Sequence, residues 1–260
     1  MGTGRSGRSR IIGSAVLRLD SVPSTNSLAS QLAVSGCPDG TVVIAKSQIA
    51  GRGRRGRTWH SPREGGLWFS VVLRPLIPPS HAQILTFLGA VAVAKALRGI
   101  GVKSDLKWPN DIMWKGMKMG GVLTESVVIG GKMKYAILGI GLNVSMGRED
   151  FPAGLSDSSV SVSMAAGKAV NQAGLLRGIL GRMDRLYGRI GRPAGREAIL
   201  HDWRLLCDKT MRNVALREGV RQWEGKVEDF GHDGSLILRM ADGGKRVFHS
   251  GEVTVLKKVR

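Results

Sequence analysis

The chain has 260 residues, with 39 Lys+Arg against 20 Asp+Glu and hence a formal net charge of +19. A hydrophobic fraction of 42% beside 23% charged residues is globular, which excludes a fibrous or unfolded chain and leaves room for one large domain plus a small one. The surplus charge points to polyanionic or acidic partners (nucleic acid, nucleotide phosphates, an anionic membrane, an acidic protein) without choosing among them.

Residues 1–15 read as a disordered basic tail. Val16 to Leu19 is expected to be a strand, Ser27 to Val34 a helix, and Thr41 to Ala45 a strand running into a glycine-arginine loop, Gly51 to Arg57. Leu67 to Leu73 follows as a buried strand. From Ser80 to Ile100, Ile84, Leu85, Leu88, Val91, Ala92 and Leu97 recur at helical spacing, with Gly99 and Gly101 as the stop. Next come short strands at Ser104 to Lys107, Asp111 to Trp114, Met119 to Val128 and Lys132 to Leu138, joined by turns at Pro109, Lys115-Gly116 and Gly130-Gly131. They form an antiparallel meander. Asn171 is a plausible N-cap for a helix through Tyr187, and another helix covers Arg196 to Leu206. Beyond a boundary near Asp208, five short strand-like runs separated by Gly- and Asp-containing turns suffice for a small β-barrel over 209–260.

Cys37 and Cys207 lie in no CxxC and no Cys/His cluster, so they read as reduced and the chain as cytoplasmic. The longest apolar stretch, Ile84 to Leu97, contains Lys95 and falls short of the roughly 20 residues that a membrane span needs. No membrane partner is expected.

Four stretches carry chemistry. Gly51 to Arg57 matches GxGxxG literally, yet no helix follows it, which removes the dinucleotide reading. Four arginines on a glycine loop suit carboxylate and phosphate oxygens, because glycine admits close backbone approach and each guanidinium offers a fork of donors. A solvated basic turn is the competing reading. The second stretch is Lys107-Trp108-Pro109-Asn110-Asp111 followed by Lys118-Met119-Gly120-Gly121. Here Lys118 can reach a cleft beside the arginine loop and Asp111 can position an amine or a metal, or be only a turn former. Ser24-Thr25-Asn26, with Gln48, supplies either helix caps or uncharged donors and acceptors for a urea or amide. Gly139-Ile140-Gly141-Leu142-Asn143-Val144 allows tight packing after a strand, with Asn143 as a ligand contact or an Asx turn.

In this order, these stretches, with Trp59, Gly66-Leu67-Trp68-Phe69-Ser70 and Gly251-Glu252-Val253, resemble biotin protein ligases (biotin–acetyl-CoA-carboxylase ligases) over roughly Arg18 to Leu256. The resemblance implies an α+β fold, a mixed, largely antiparallel sheet backed by helices of the class II synthetase/biotin ligase kind. On this reading 16–208 is the catalytic domain and 209–260 an SH3-like barrel. The implied activity is ATP-dependent: biotin and MgATP give biotinyl-5′-AMP, and biotin is transferred to a lysine of a biotin carboxyl carrier protein. The resemblance assigns Ser24, Thr25, Asn26 and Gln48 to the biotin head, and Arg52, Gly53 and Arg54 to the carboxylate and phosphate. Lys118 meets the carboxylate and later the acyl phosphate. Trp59 and Asn143 face the adenine, with Arg55, Arg57 and Asn110 near the nucleotide, and Asp111 lies where the carrier lysine or metal arrives. Lys118, Arg54 and Asp111 form the expected catalytic set. No protein ligand is assigned to Mg²⁺, which is delivered with ATP. Fewer than two dozen residues precede Ser24, too few for a helix-turn-helix domain, so specific DNA binding is not expected. A homodimer is compatible with the sequence. Alternatives are a lipoate or octanoate ligase of the same superfamily, and a basic nucleic-acid-binding protein in which the charge is the function.

Overall fold

A computed structural model describes residues 10–208 and 211–256. Among these residues, seven strands form one sheet in the order β1-β2-β3-β7-β6-β5-β4: β1 (Val16–Val22), β2 (Val42–Gln48), β3 (Gly66–Leu73), β4 (Asp105–Lys107), β5 (Asp111–Trp114), β6 (Met117–Ile129) and β7 (Lys132–Asn143). β1 pairs parallel with β2 and the other pairings are antiparallel, so the sheet is mixed and largely antiparallel, as expected. Hairpins set the registers. Lys115 and Gly116 both have positive φ in the β5–β6 turn, and Gly130 and Gly131 do so between β6 and β7.

Helix α1 (Thr25–Val34) covers one face of this sheet, where Ala29 and Ala33 meet Val43, Val72 and Ile137. The opposite face carries α2 (Gln83–Arg98), α4 (Gln172–Tyr187) and α5 (Pro193–Leu206), while α3 (Val162–Ala166) is a short turn after β7. α2 is apolar on all sides because it is wrapped on all sides, by the sheet and by α4 and α5. Pro79–Arg98 is the stretch among the described residues that is long and apolar enough to cross a membrane, and it is this core helix. Asn171 caps α4 through Oδ1, which accepts from Gly174 N at 2.9 Å.

The second sheet, in the order β11-β10-β9-β8-β12, contains β8 (Asn213–Glu218), β9 (Arg221–Phe230), β10 (Leu236–Arg239), β11 (Lys245–Phe248) and β12 (Glu252–Val255), all antiparallel. It continues the main core. Phe230 stands edge-on to Phe87 and Trp203, which stack with centroids 3.8 Å apart, and Trp108 Nε1 donates to Gly234 O at 3.0 Å. At the surface, Arg204 donates to Asp229 Oδ1 at 2.8 Å.

Two expectations need correction. The disordered tail was expected to reach residue 15, but residues 10–15 are folded. Ile12 is wholly buried in the core, and the Ile11 and Ile12 amides both donate to Asp184 Oδ1 at 2.9 Å. Residues 1–9 lie outside the described residues. The second correction concerns Gly139 to Asn143, which is the end of β7 and not a loop after it, paired to β3 on one side and β6 on the other.

Hydrogen bonds hold several carboxylates of the second sheet below the usual range. Arg217 does this for Glu252. For Asp229 and Asp233 burial pushes upward, but hydrogen bonds from Arg204 and Ser235 respectively outweigh it. A folded pKa below the unfolded one stabilises fully above the unfolded value, about 4, and that contribution disappears as pH falls through the folded value. The Tm measured by calorimetry is therefore expected to be level from pH 7 to about 5 and to fall below about pH 4. A Tm unchanged down to pH 3 would contradict these pairings.

Candidate active site

A cavity of about 480 Å³ opens on the α1 side of the main sheet, at the end bordered by β12 of the second sheet. Its floor exists because β7 bears glycine at alternate positions, all pointing to this face. A Cβ on Gly139 would overlap Asn26 Oδ1, and one on Gly141 would stand 2.5 Å from Trp59 Nε1. The glycines therefore decide where Asn26 and Trp59 sit. Gly139→Ala should displace Asn26 and leave the folded core intact.

The polar end of the cavity is a network held by four elements, α1, β2, β3 and β6. Thr25 donates to Gln48 Oε1 from its backbone N at 2.8 Å and from Oγ1 at 3.1 Å, and Gln48 Nε2 donates to Ser61 Oγ at 2.8 Å. Ser70 Oγ, in the middle of β3, donates to Asn26 Oδ1 at 2.6 Å and lies 2.8 Å from Thr25 Oγ1. Asn26 Nδ2 in turn donates to Glu125 Oε2 at 2.7 Å. Ser24 occupies the N-cap position of α1 without a side-chain capping bond, although it is buried. The capping reading thus fails for these residues, whose polar groups face the cavity and one another.

The arginine loop folds back on itself, with Gly53 N bonded to Arg57 O at 2.6 Å and Trp59 N to Gly51 O at 2.8 Å. Arg55 adopts φ 57° and ψ 38°, left-handed backbone that favours glycine, and Gly56 continues at φ 74°. The four arginines part company. Arg52 pairs with Glu125 and Arg57 with Glu252. Arg55 Nη1 reaches Arg217 O at 3.4 Å, while Arg54 Nη1 reaches Asn110 Oδ1 at 3.5 Å and Gly251 O at 3.4 Å. Burial lowers the Arg54 guanidinium from its ordinary value and neighbouring Arg55 adds to this, with Asp111 and Glu252 opposing. A partly desolvated guanidinium beside other cations is a place where an anion is welcome.

Across the cavity, Lys118 Nζ lies 2.7 Å from Asp111 Oδ1 and 5.4 Å from the centre of the Trp59 ring. Its backbone is fixed independently, Lys118 N donating to Ser158 O at 2.7 Å and Lys118 O accepting from Val160 N at 3.0 Å. Trp59 Nε1 is buried without a hydrogen-bond partner among the described residues, a donor left for something that enters the cavity. Asn143 is buried in the floor, donating from Nδ2 to Val160 O at 3.4 Å, and Asn110 Nδ2 donates to Val122 O at 2.9 Å. Met146, Phe151 and Leu155 make an apolar wall.

Every residue to which the resemblance gave a site role borders this one cavity: Ser24, Thr25, Asn26, Gln48, Arg52, Gly53, Arg54, Arg55, Arg57 and Trp59 on one side, Asn110, Asp111, Lys118 and Asn143 on the other. Ser70, known from the sequence only as the end of a strand motif, and Glu125, not singled out at all, enter the site through their strand neighbours. Residue reasoning also missed the wall from Met146 to Ser159 and the pairing of Glu252 with Arg57.

The sequence profile of the Biotin/lipoate A/B protein ligase family matches residues 18–143. The chain is 35% identical to the bifunctional ligase/repressor BirA of Bacillus subtilis, with 93% of this chain and 74% of that protein aligned. It is 32% identical to the biotin–[acetyl-CoA-carboxylase] ligase of Paracoccus denitrificans, over 88% of this chain and 96% of that one. The chain belongs to the biotin protein ligase family. Its fold agrees with a solved structure, the biotin protein ligase from Aquifex aeolicus in complex with biotin and ATP, at a TM-score of 0.78 and 27% identity, covering 93% of this chain and 98% of that one. Each residue given a site role by the resemblance lies within the segment matched by the family profile, whereas Gly251, Glu252 and the wall after Val144 lie beyond it.

Proposed function

We propose that this cavity joins biotin to ATP and then passes biotin to a carrier lysine, as a biotin–[biotin carboxyl carrier protein] ligase. The observation that carries the reading is the convergence on one cavity of an uncharged polar network, an arginine loop and Lys118. A bicyclic urea, a carboxylate and a triphosphate together require that combination. In the first step a biotin carboxylate oxygen attacks the α-phosphorus, the bond to the β-phosphate bridge breaks, and pyrophosphate leaves. In the second the carrier lysine, as a free amine, attacks the acyl carbon. AMP departs and the amine loses a proton.

Both reactants of the first step are anions, so dense fixed positive charge is what permits their approach. Arg54 and Lys118 supply it from opposite sides. Thr25, Asn26 and Gln48, already locked together, offer the urea a preorganised surface, and Ser24 adds a hydroxyl that makes no capping bond to α1. Trp59 presents its ring and its unpaired Nε1 to the nucleotide base together with Asn143, while Arg52, Gly53, Arg55, Arg57 and Asn110 line the path of the phosphates. Asp111 holds Lys118 in place and lies where an incoming amine would arrive.

Among the described residues no group of three or more His, Cys, Asp or Glu is placed to hold a metal ion. Mg²⁺ is written here as part of the substrate MgATP, because it keeps several waters and is held by substrate phosphates with only one or two carboxylates, so it needs no such group.

The cytoplasm is the compartment that supplies ATP and carrier. Two free cysteines support that location, and burial pushes the Cys207 thiol up to about 12, which keeps it protonated and unreactive. The decisive experiment incubates the protein with biotin, MgATP and a purified biotin carboxyl carrier domain and scores covalent biotin on the carrier lysine. Biotin transfer with no transfer of lipoate or octanoate is expected, and the reverse preference would overturn the reading. Within it, Gly139→Ala is expected to raise the KM for biotin about tenfold, the loss of one well-placed hydrogen bond, with a much smaller change in the KM for ATP. An unchanged biotin KM would remove Asn26 from the biotin head.

A further inference from the structure

Most of the +19 charge has no part in the cavity, and it is unevenly spread. Between Gln172 and Arg196 the chain holds Arg177, Arg182, Arg185, Arg189, Arg192 and Arg196 but a single acidic residue, Asp184. That carboxylate is engaged with the Ile11 and Ile12 amides.

The fold gathers these arginines. α4 turns Leu175, Leu176, Ile179, Leu180, Met183 and Tyr187 inward, which leaves Arg177 and Arg185 on its outer side, with Arg189 one turn beyond. Arg182 lies beside Gly99, its Nη2 3.3 Å from where a Cβ there would stand, so exposed Arg98 at the end of α2 joins the same patch. Arg196 Nη1 donates to Ile190 O at 3.1 Å and Gly191 O at 3.2 Å, bracing the turn that presents Arg189 and Arg192. Arg63, Arg148, Arg204, Arg217 and Arg239 each have a carboxylate partner, but Arg98, Arg177, Arg185, Arg189 and Arg192 have none among the described residues. Such a row repels itself, so a bound polyanion relieves a standing cost.

Geometry narrows the partner. The cavity opens on the α1 side of the sheet and this face is the outer surface of the helices on the other side. If the proposed function holds, a carrier domain docked here could not deliver its lysine. Guanidinium forks match phosphate oxygens, whereas Tyr187, the single aromatic residue of the stretch, is buried and cannot stack on a base. From Arg177 to Arg185 the row runs roughly 12 Å along α4, about the width of a DNA major groove, and Arg189 and Arg192 in the turn beyond the helix extend it further. It can therefore touch phosphates on both sides of a groove. We propose that the outer face of α4 and the α4–α5 turn is a docking surface for the phosphate backbone of double-stranded nucleic acid, without base readout.

The test measures fluorescence anisotropy of a labelled 24-base-pair DNA duplex of mixed sequence from 50 to 300 mM salt, comparing the full chain with the quadruple variant R177Q/R185Q/R189Q/R192Q. These side chains are exposed and lie outside the cavity, so the ATP–pyrophosphate exchange rate serves as a control that should not change. The wild type is expected to bind with a steep salt dependence, and the variant's log–log slope to be shallower by about 3 to 4, the release expected for four phosphate contacts. Absence of binding, or equal slopes for the two proteins, would overturn the proposal. Equal binding of polyglutamate and duplex would overturn it in favour of an acidic protein partner.

Discussion

Replacing Lys118 by alanine should lower biotin-dependent ATP–pyrophosphate exchange by at least about 100-fold, the usual loss when one preorganised charge-stabilising donor is removed, with the fold intact. The structural part of this expectation rests on the backbone. Lys118 N and O keep their bonds to Ser158 and Val160 whatever the side chain is, and the ammonium is partly solvent-exposed, so truncation empties no core space. The functional part rests on electrostatics. Without Lys118, Asp111 stands unpaired at the cavity edge and adds repulsion where two anionic substrates must meet. The double change K118A/D111N should therefore recover some activity relative to Lys118→Ala alone, which a purely structural defect would not allow. Near-normal exchange by Lys118→Ala would end the assignment of this cavity to adenylate formation.

Trp203→Ala should be the most damaging single change to stability. Trp203 is fully buried, stacked on Phe87 and edge-on to Phe230, and so sits where α2, α5 and the second sheet meet. Loss of an indole from such a place costs about 3 to 5 kcal/mol, which for a chain of this size lowers Tm by roughly 10 °C or more. Trp203→Phe separates packing from polarity. It keeps a ring against Phe87 and deletes Nε1, which has no hydrogen-bond partner among the described residues, so its penalty should be well under half that of alanine. Thermal denaturation of the two variants decides this, and equal Tm losses would mean that ring stacking is not what matters there.

The strand order within hairpins was readable because Lys115-Gly116 and Gly130-Gly131 carry their own turn chemistry, and α4 was readable from its cap and its apolar period. α3 escaped because five residues are too few to show a period, although Ser161 caps it, accepting from Met164 N. The segment Gly139 to Asn143 misled for a physical reason. Glycine weakens a strand as a local signal, and the compensation comes from Asn26 and Trp59, remote residues that use the space left by the absent side chains. The same holds for charge. The arginine loop announced itself, yet its partners Glu125 and Glu252 come from distant strands, and no spacing in the chain foretells that two of the four guanidinium groups are held aside. The opening residues misled in the opposite sense, since composition marked them as tail while Ile11 and Ile12 are tied to α4 by Asp184.

The pairing of Glu252 with both Arg57 and Arg217, and the approach of Arg54 to Gly251, bear on how this protein can be cut and recombined. A fragment ending near residue 208 would retain the whole family-matched segment but would lack one side of its own reaction chamber. Grafts that exchange the last fifty residues between relatives must therefore carry the arginine loop with them, or the loop will close against a surface it was not built to meet.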